Sequence, residues 1–291
     1  MDTETGQAQG GGAPAEGKMA RGWRLTKAAW ALIRRDPTMV AIALIGAGCG
    51  LAGAAAILYF SGYFNSPTNS RGSLALVAIV ALYPLTFLSV FFNVALAGAA
   101  AASFDGRPIG VREALAISWR RVGRIAQWSL LAAGVGLVLD QLASRIPGAG
   151  RLASWLLGAA WSLATIFAVP LLALEGAGPL ATAKESVHLI KSKWGEGITG
   201  LASIGAWTVF ATIPVAVLLG VGIAVRNQDA TAGAALIAIA VGAFLLVSAL
   251  SLATRQVFSV ALYRYANGAA ETGGFAAADL EDPFRRHGSR G

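Results

Sequence analysis

Long uncharged stretches alternate with short charge-bearing ones along this chain, and the alternation predicts helices of two kinds. The clearest instance is 169–197, VPLLALEGAGPLATAKESVHLIKSKWGEG. An apolar run closes at Glu175 and Gly176. Leu180, Ala183, Val187, Ile190 and Trp194 then recur at spacings of three and four. On a helix these positions form one stripe, with Lys184, Glu185, His188 and Lys191 on other faces. Uncharged runs flank the stretch on both sides, so it reads as an amphipathic helix lying at a membrane interface between two spans.

Six runs are long enough to cross about 30 Å of hydrocarbon. They are 38–60, 73–104, 125–146, 152–174, 198–225 and 230–254, the last continuing as helix to Tyr265. The second exceeds what a bilayer needs, and Pro84 offers it a kink. Asp36 and Pro37 read as an N-cap followed by proline at the first helical position. Gly46 and Gly50 form a small-xxx-small pair suited to close helix packing.

Two weaker copies of the amphipathic stretch precede the first and third runs. Trp23, Trp30 and Ile33 align with Leu180, Val187 and Ile190, and Lys27 with Lys184. Val111, Leu115 and Val122 align with Ala183, Val187 and Trp194. The even-numbered runs close alike, on Asp105-Gly106, Glu175-Gly176 and Asn267-Gly268. The expected fold is therefore all-α: a polytopic membrane protein with six transmembrane helices in three pseudo-repeats, each an interfacial amphipathic helix plus two spans. Residues 1–20 should be a disordered tail, 21–268 the membrane domain and 269–291 a flexible cytoplasmic tail. In that last tail Phe275, Leu280 and Phe284 are placed to dock a short helical piece. Structure-forming sequence begins just after Met19, so Met1 and Met19 are both candidate starts.

Composition sharpens this picture. The 291 residues are 56% hydrophobic and 13% charged, against about 45–50% and about 25% in soluble domains. The excess lies in blocks, which points to a bilayer rather than an oversized core. Of 23 Lys and Arg residues, only Arg71, Arg145, Arg151 and Arg226 fall on the far side. The positive-inside rule then places both termini in the cytoplasm. The net charge of +8 is explained by this topology and by anionic headgroups, not by nucleic acid.

Most chemistry is excluded. A single cysteine, Cys49, rules out an internal disulfide framework, and two histidines, His188 and His287, are too dispersed for a metal site. There is no nucleophile elbow, no Walker A loop and no pair of carboxylates within a span. The expectation is a non-enzymatic protein without cofactor. Polar groups inside the spans are the remaining leads. An arginine at depth should face protein or a wet cavity, and Arg255 with Asn93, Ser162 and Thr165 forms a candidate polar pocket. At the surface, Arg120, Arg121, Arg124, Lys184, Lys191 and Lys193 are candidate contacts for anionic lipid. The preferred function is a module binding lipid or a membrane protein partner. The alternative is a small transporter or channel with Arg255 and Asn93 in its path.

Trp161-Ser162, Val169-Pro170, Glu175, Ser186 and Trp194-Gly195-Glu196, with the opening GWRLTKAAWALIRRDP, carry a resemblance. Over roughly Gly22 to Phe284 the chain resembles a family of uncharacterised bacterial six-span membrane proteins. It is more distantly similar to the membrane domain attached to some glycerophosphodiester phosphodiesterases. Their soluble catalytic domain is not read in this sequence, so the resemblance implies the architecture and no activity.

Overall fold

A computed structural model of the chain describes residues 30–61, 71–145, 150–194, 202–269, 271–272 and 275–276. The expected tail 1–20, Trp23, Lys27, Leu280, Phe284 and the Gly195-Glu196 pair lie outside the described residues, as do the side chains of Lys193 and Trp194. The described part is almost wholly helical. It begins with α1 (30–35) and α2 (Thr38–Phe60). Next come α3 (Arg71–Phe104), α4 (Val111–Arg120) and α5 (Val122–Arg145). After these stand α6 (Gly150–Ala164), α7 (Ala168–Leu174), α8 (Pro179–Trp194), α9 (Ala202–Arg226) and α10 (Ala230–Ala266). Two short strands, β1 (Glu271–Thr272) and β2 (Phe275–Ala276), pair antiparallel after α10. Phe275, expected on a helical piece, thus lies in an extended pairing with Thr272.

Four described helices contain stretches long and apolar enough to cross a membrane: Thr38–Phe60, Ile79–Phe104, Val122–Ala143 and Ala230–Ala266. Their outward surfaces are apolar as well; Phe60, Val80, Val138 and Ile239 are all well exposed. In water so continuous an apolar surface would drive aggregation. In lipid it is the proper solvent-facing surface, and the protein is membrane-embedded and multi-pass.

The helices pack as three neighbouring pairs: α2 with α3, α5 with α6, and α9 with α10. The first pair is closed at one end by Asp36. Its carboxylate accepts the Thr38 N–H at 3.1 Å, capping α2, and the Ser103 hydroxyl at 2.6 Å from the last turn of α3. The α5–α6 pair is held by stacked indoles, Trp128 on Trp161 with centroids 6.1 Å apart. Burial is uneven along the spans. It concentrates in the first turns of α2, the last turns of α3 and α10, and in α7. The core is therefore at the end where the short helices α4 and α8 also pack, and the opposite halves are largely exposed.

Two expectations need correction. The fourth span, expected as one run over 152–174, is broken at Thr165–Phe167 into α6 and α7. Pro170 is the cause. It has no N–H for the carbonyl of Ile166, and its ring crowds that carbonyl. Val122, expected on the second surface helix, instead opens α5 after a break at Arg121.

The glycine pair in α2 also divides. A Cβ on Gly46 would lie 2.8 Å from Cγ of Phe92, whereas one on Gly50 would meet nothing within 4 Å. Gly46 is the close approach of α2 to α3, and Gly50 faces open surface. Gly46→Ala should therefore cost about 1–3 kcal/mol through overpacking, while Gly50→Ala should be neutral or slightly stabilising, since Gly weakens a helix interior. Thermal unfolding of the two variants in the same detergent checks this; equal midpoints would contradict it.

Candidate functional site

The break between α6 and α7 frees backbone groups from their helical partners. Two serines satisfy them. The Ser259 hydroxyl on α10 donates to the Ile166 carbonyl at 2.8 Å, the group that Pro170 leaves without a helical partner. The Ser186 hydroxyl on α8 accepts the Phe167 N–H at 3.2 Å. Thr165, at the start of the break, donates to Trp161 O at 2.8 Å, one turn back on its own helix. A second surface-helix hydroxyl acts similarly: Ser118 on α4 donates to Phe91 O on α3 at 2.8 Å.

These hydroxyls reorganise the reading of the surface helices. On α8 the buried line is Thr182, Ser186, Leu189 and Ile190, and Leu180 is 68% exposed. On α4 the buried residues are Ala114 and Ser118, and Trp119 is 66% exposed. The centre of the expected apolar stripe of α8 is therefore offset from its protein-facing side, with Ile190 buried and Ala183 packed against the core along the shared edge and Leu180 exposed. At 3.6 residues per turn the two directions differ by roughly a quarter turn. Small and hydroxyl residues face the spans, where they permit close approach and hold backbone groups. The apolar stripe stands beside them, and exposed Lys184 and Lys191 follow it around the helix.

The ends of α3, α7 and α10 meet beneath these helices, and all three touch one another. Each closes on a glycine in left-handed backbone: Gly106 at φ 70°, Gly176 at φ 67° and Gly268 at φ 93°. No other positive φ occurs among the described residues. Only glycine adopts this conformation without strain, and it turns the chain off the helix while satisfying the last carbonyls. The Arg107 N–H bonds to Ala102 O and the Ala269 N–H to Arg264 O, each at 3.0 Å, across the first and third of these turns.

Side chains knit the three ends together. Arg264 on α10 donates to the Asp105 carboxylate at 2.8 Å and to Ala101 O at 3.0 Å, with its guanidinium over the Phe104 ring. Tyr263 donates a short hydrogen bond to the Glu175 carboxylate. Arg121 donates to Leu172 O and Leu174 O, each at 2.9 Å, capping the C-terminus of α7. A cation there also complements the helix dipole. Burial pushes its guanidinium below its ordinary value, and the charge of Glu175 opposes that shift. Arg121 thus has an internal role that the basic-cluster reading did not foresee. Arg120, Arg124, Lys184 and Lys191 of the same candidate set are exposed.

The candidate intramembrane pocket is arranged differently from the expectation. Asn93 on α3 accepts from the Gln256 amide at 2.7 Å and donates to Ser89 O at 2.8 Å. Arg255, next to Gln256 in sequence, stands on the exposed side of α10, and Ser162 is exposed on α6. Among the described residues no hydrogen bond joins any two of Asn93, Ser162, Thr165 and Arg255. Gln256 was missed because the sequence offers only its spacing beside Arg255; its Oε1 is buried without a partner.

A family of unknown function, DUF6159, matches residues 73–274. The chain belongs to the DUF6159 family. No curated protein sequence matches it significantly. The matched region of this DUF6159 protein begins just inside α3 and includes the broken helix, both complete surface helices and all three glycine turns.

The break and the caps predict distinct mutational costs. Arg121→Ala should lower stability by about 1.5–3 kcal/mol, the range for a hydrogen bond to a charged group. Arg120→Ala, at an exposed site, should stay within about 0.5 kcal/mol. Ser259→Ala should cost about 1–3 kcal/mol by leaving the Ile166 carbonyl unsatisfied. Unfolding midpoints in one detergent rank the three; parity between Arg120→Ala and Arg121→Ala would contradict the capping role.

Proposed function

We propose that this DUF6159 protein is a six-span, non-enzymatic membrane module whose surface helices bind anionic lipid at the cytoplasmic face of a bacterial inner membrane. Six crossings are favoured by the pairing of α2 with α3, of α5 with α6, which leads through the break into α7, and of α9 with α10. Each pair starts and ends at the Asp105, Glu175 and Asn267 end. The broken α6–α7 span and α9, whose described apolar stretch is Thr212–Arg226, supply the two crossings beyond the four long helices. The three glycine turns and the two hydroxyl-faced surface helices favour a threefold repeat of interfacial helix, span and span.

The observation that carries the lipid reading is the arrangement of α4 and α8. Each presents a packed face to the spans, and Arg120, Lys184 and Lys191 are exposed on the same end of the molecule. In α8 the lysines border the outward apolar stripe, the position from which a long side chain reaches the headgroup layer. Transport is the weaker reading, because Asn93 is occupied by Gln256 and Arg255 faces away from it.

Two measurements test the proposal. Replacing Arg120, Lys184 and Lys191 by Ala should lower retention of phosphatidylglycerol relative to phosphatidylcholine by about fivefold per residue in native mass spectrometry. Unchanged retention would remove the lipid role. A tag placed after Gly291 should react only from the cytoplasmic side of intact cells; labelling from outside would reverse the topology.

A further inference from the structure

A groove of about 760 Å³ runs down the outside of α5. Leu131, Gly134, Val135 and Val138 form its floor, and Pro179 and Leu180 of α8 border it. Gln127 is its one polar lining residue. From Gln127 to Leu139 the groove follows roughly 18 Å of helix at about 1.5 Å per residue. One leaflet of hydrocarbon is about 15 Å deep.

Arg124 stands one turn before Gln127 on the same face of α5. It is exposed, and its guanidinium lies over the loop that leads to Pro179: a Cβ on Gly178 would be 2.9 Å from its Nη1. Arg121 is committed to the α7 carbonyls, whereas Arg124 makes no hydrogen bond or ion pair among the described residues. One line down α5 therefore runs from free cation to amide to apolar channel. A phospholipid has the same order, from phosphate through ester to acyl chain. A guanidinium can hold a phosphate with two parallel hydrogen bonds.

We propose that this groove holds one acyl chain of an anionic phospholipid whose phosphate rests on Arg124. The inference rests on the reading of α4 and α8 as headgroup-layer helices, and it names a single site within that surface.

The test uses the full-length protein in detergent and three probes carrying the same photoreactive group midway along an acyl chain: phosphatidylglycerol, phosphatidylcholine and a free fatty acid. Phosphatidylglycerol should label the 127–139 stretch of α5 in preference to the exposed faces of α2 and α9, and more strongly than the fatty acid does. Arg124→Gln should lower that labelling about fivefold and lower phosphatidylcholine labelling less, because the choline cation offsets the charge of its phosphate. Gly134→Leu, whose Cβ meets nothing within 4 Å, should lower labelling by all three probes by filling the channel. Labelling spread evenly over the apolar helices, stronger labelling by the fatty acid, or indifference to Arg124→Gln would each overturn the site. The wild-type labelling map decides even where a variant fails to fold. If these controls fail while the Arg120, Lys184 and Lys191 variants still lose anionic lipid, the groove is refuted and the broader lipid reading stands.

Discussion

The break in the chain between α6 and α7 is the constraint on which the rest of the arrangement depends. Backbone groups freed at an interrupted helix and shut away from water need partners from the protein, and Phe167 at this break is buried. Pro170 removes one helical hydrogen bond at the interruption, and the partners come from two distant segments, Ser259 on α10 and Ser186 on α8. The first locks the last span against the break, and the second pulls a surface helix down onto it. Removing either partner leaves a buried polar group whose desolvation is not offset, so the break, α8 and α10 are coupled.

The same logic governs the charged end of the molecule. Helix C-termini leave carbonyls without intrahelical partners. Here glycines in left-handed backbone turn the chain away from α3, α7 and α10, and arginines from other helices take up carbonyls at the ends of α3 and α7. Arg264 and Tyr263, adjacent on α10, reach Asp105 and Glu175 respectively and so gather all three ends. Polar side chains do structural work at this end, and close packing concentrates there. The other halves of the spans need only apolar surfaces that match the lipid.

That division explains why the surface helices carry two adjoining faces. Their inward lines are small or hydroxyl-bearing, because the helices approach the spans closely and must hold their backbone groups. On α8 the apolar stripe adjoins that inward line, and Lys184 and Lys191 stand exposed beside it. Arg124 belongs to this boundary. It is exposed one turn before Gln127, at the head of the apolar groove along α5.

The sequence by itself determined what depends on local chemistry: the apolar runs, the amphipathic stretches between them, the cap at Asp36 and the three glycine turns. Run length, helical period and the demand of a left-handed turn for glycine are all encoded within a few consecutive residues. Pro170 was equally visible, but a proline inside an apolar run is compatible with a kinked span as well as a broken one. Only the tertiary structure decided that the helix breaks, because the outcome depends on whether Ser186 and Ser259, 19 and 93 residues from their partners, stand close enough to satisfy it. It also decided that α8 turns its hydroxyl line inward, that Arg121 is a cap while Arg124 has no hydrogen bond or ion pair among the described residues, and that Asn93 meets Gln256 and leaves Arg255 outside. Each is a choice among partners distant in sequence, and periodicity and composition carry no information about which of them meet.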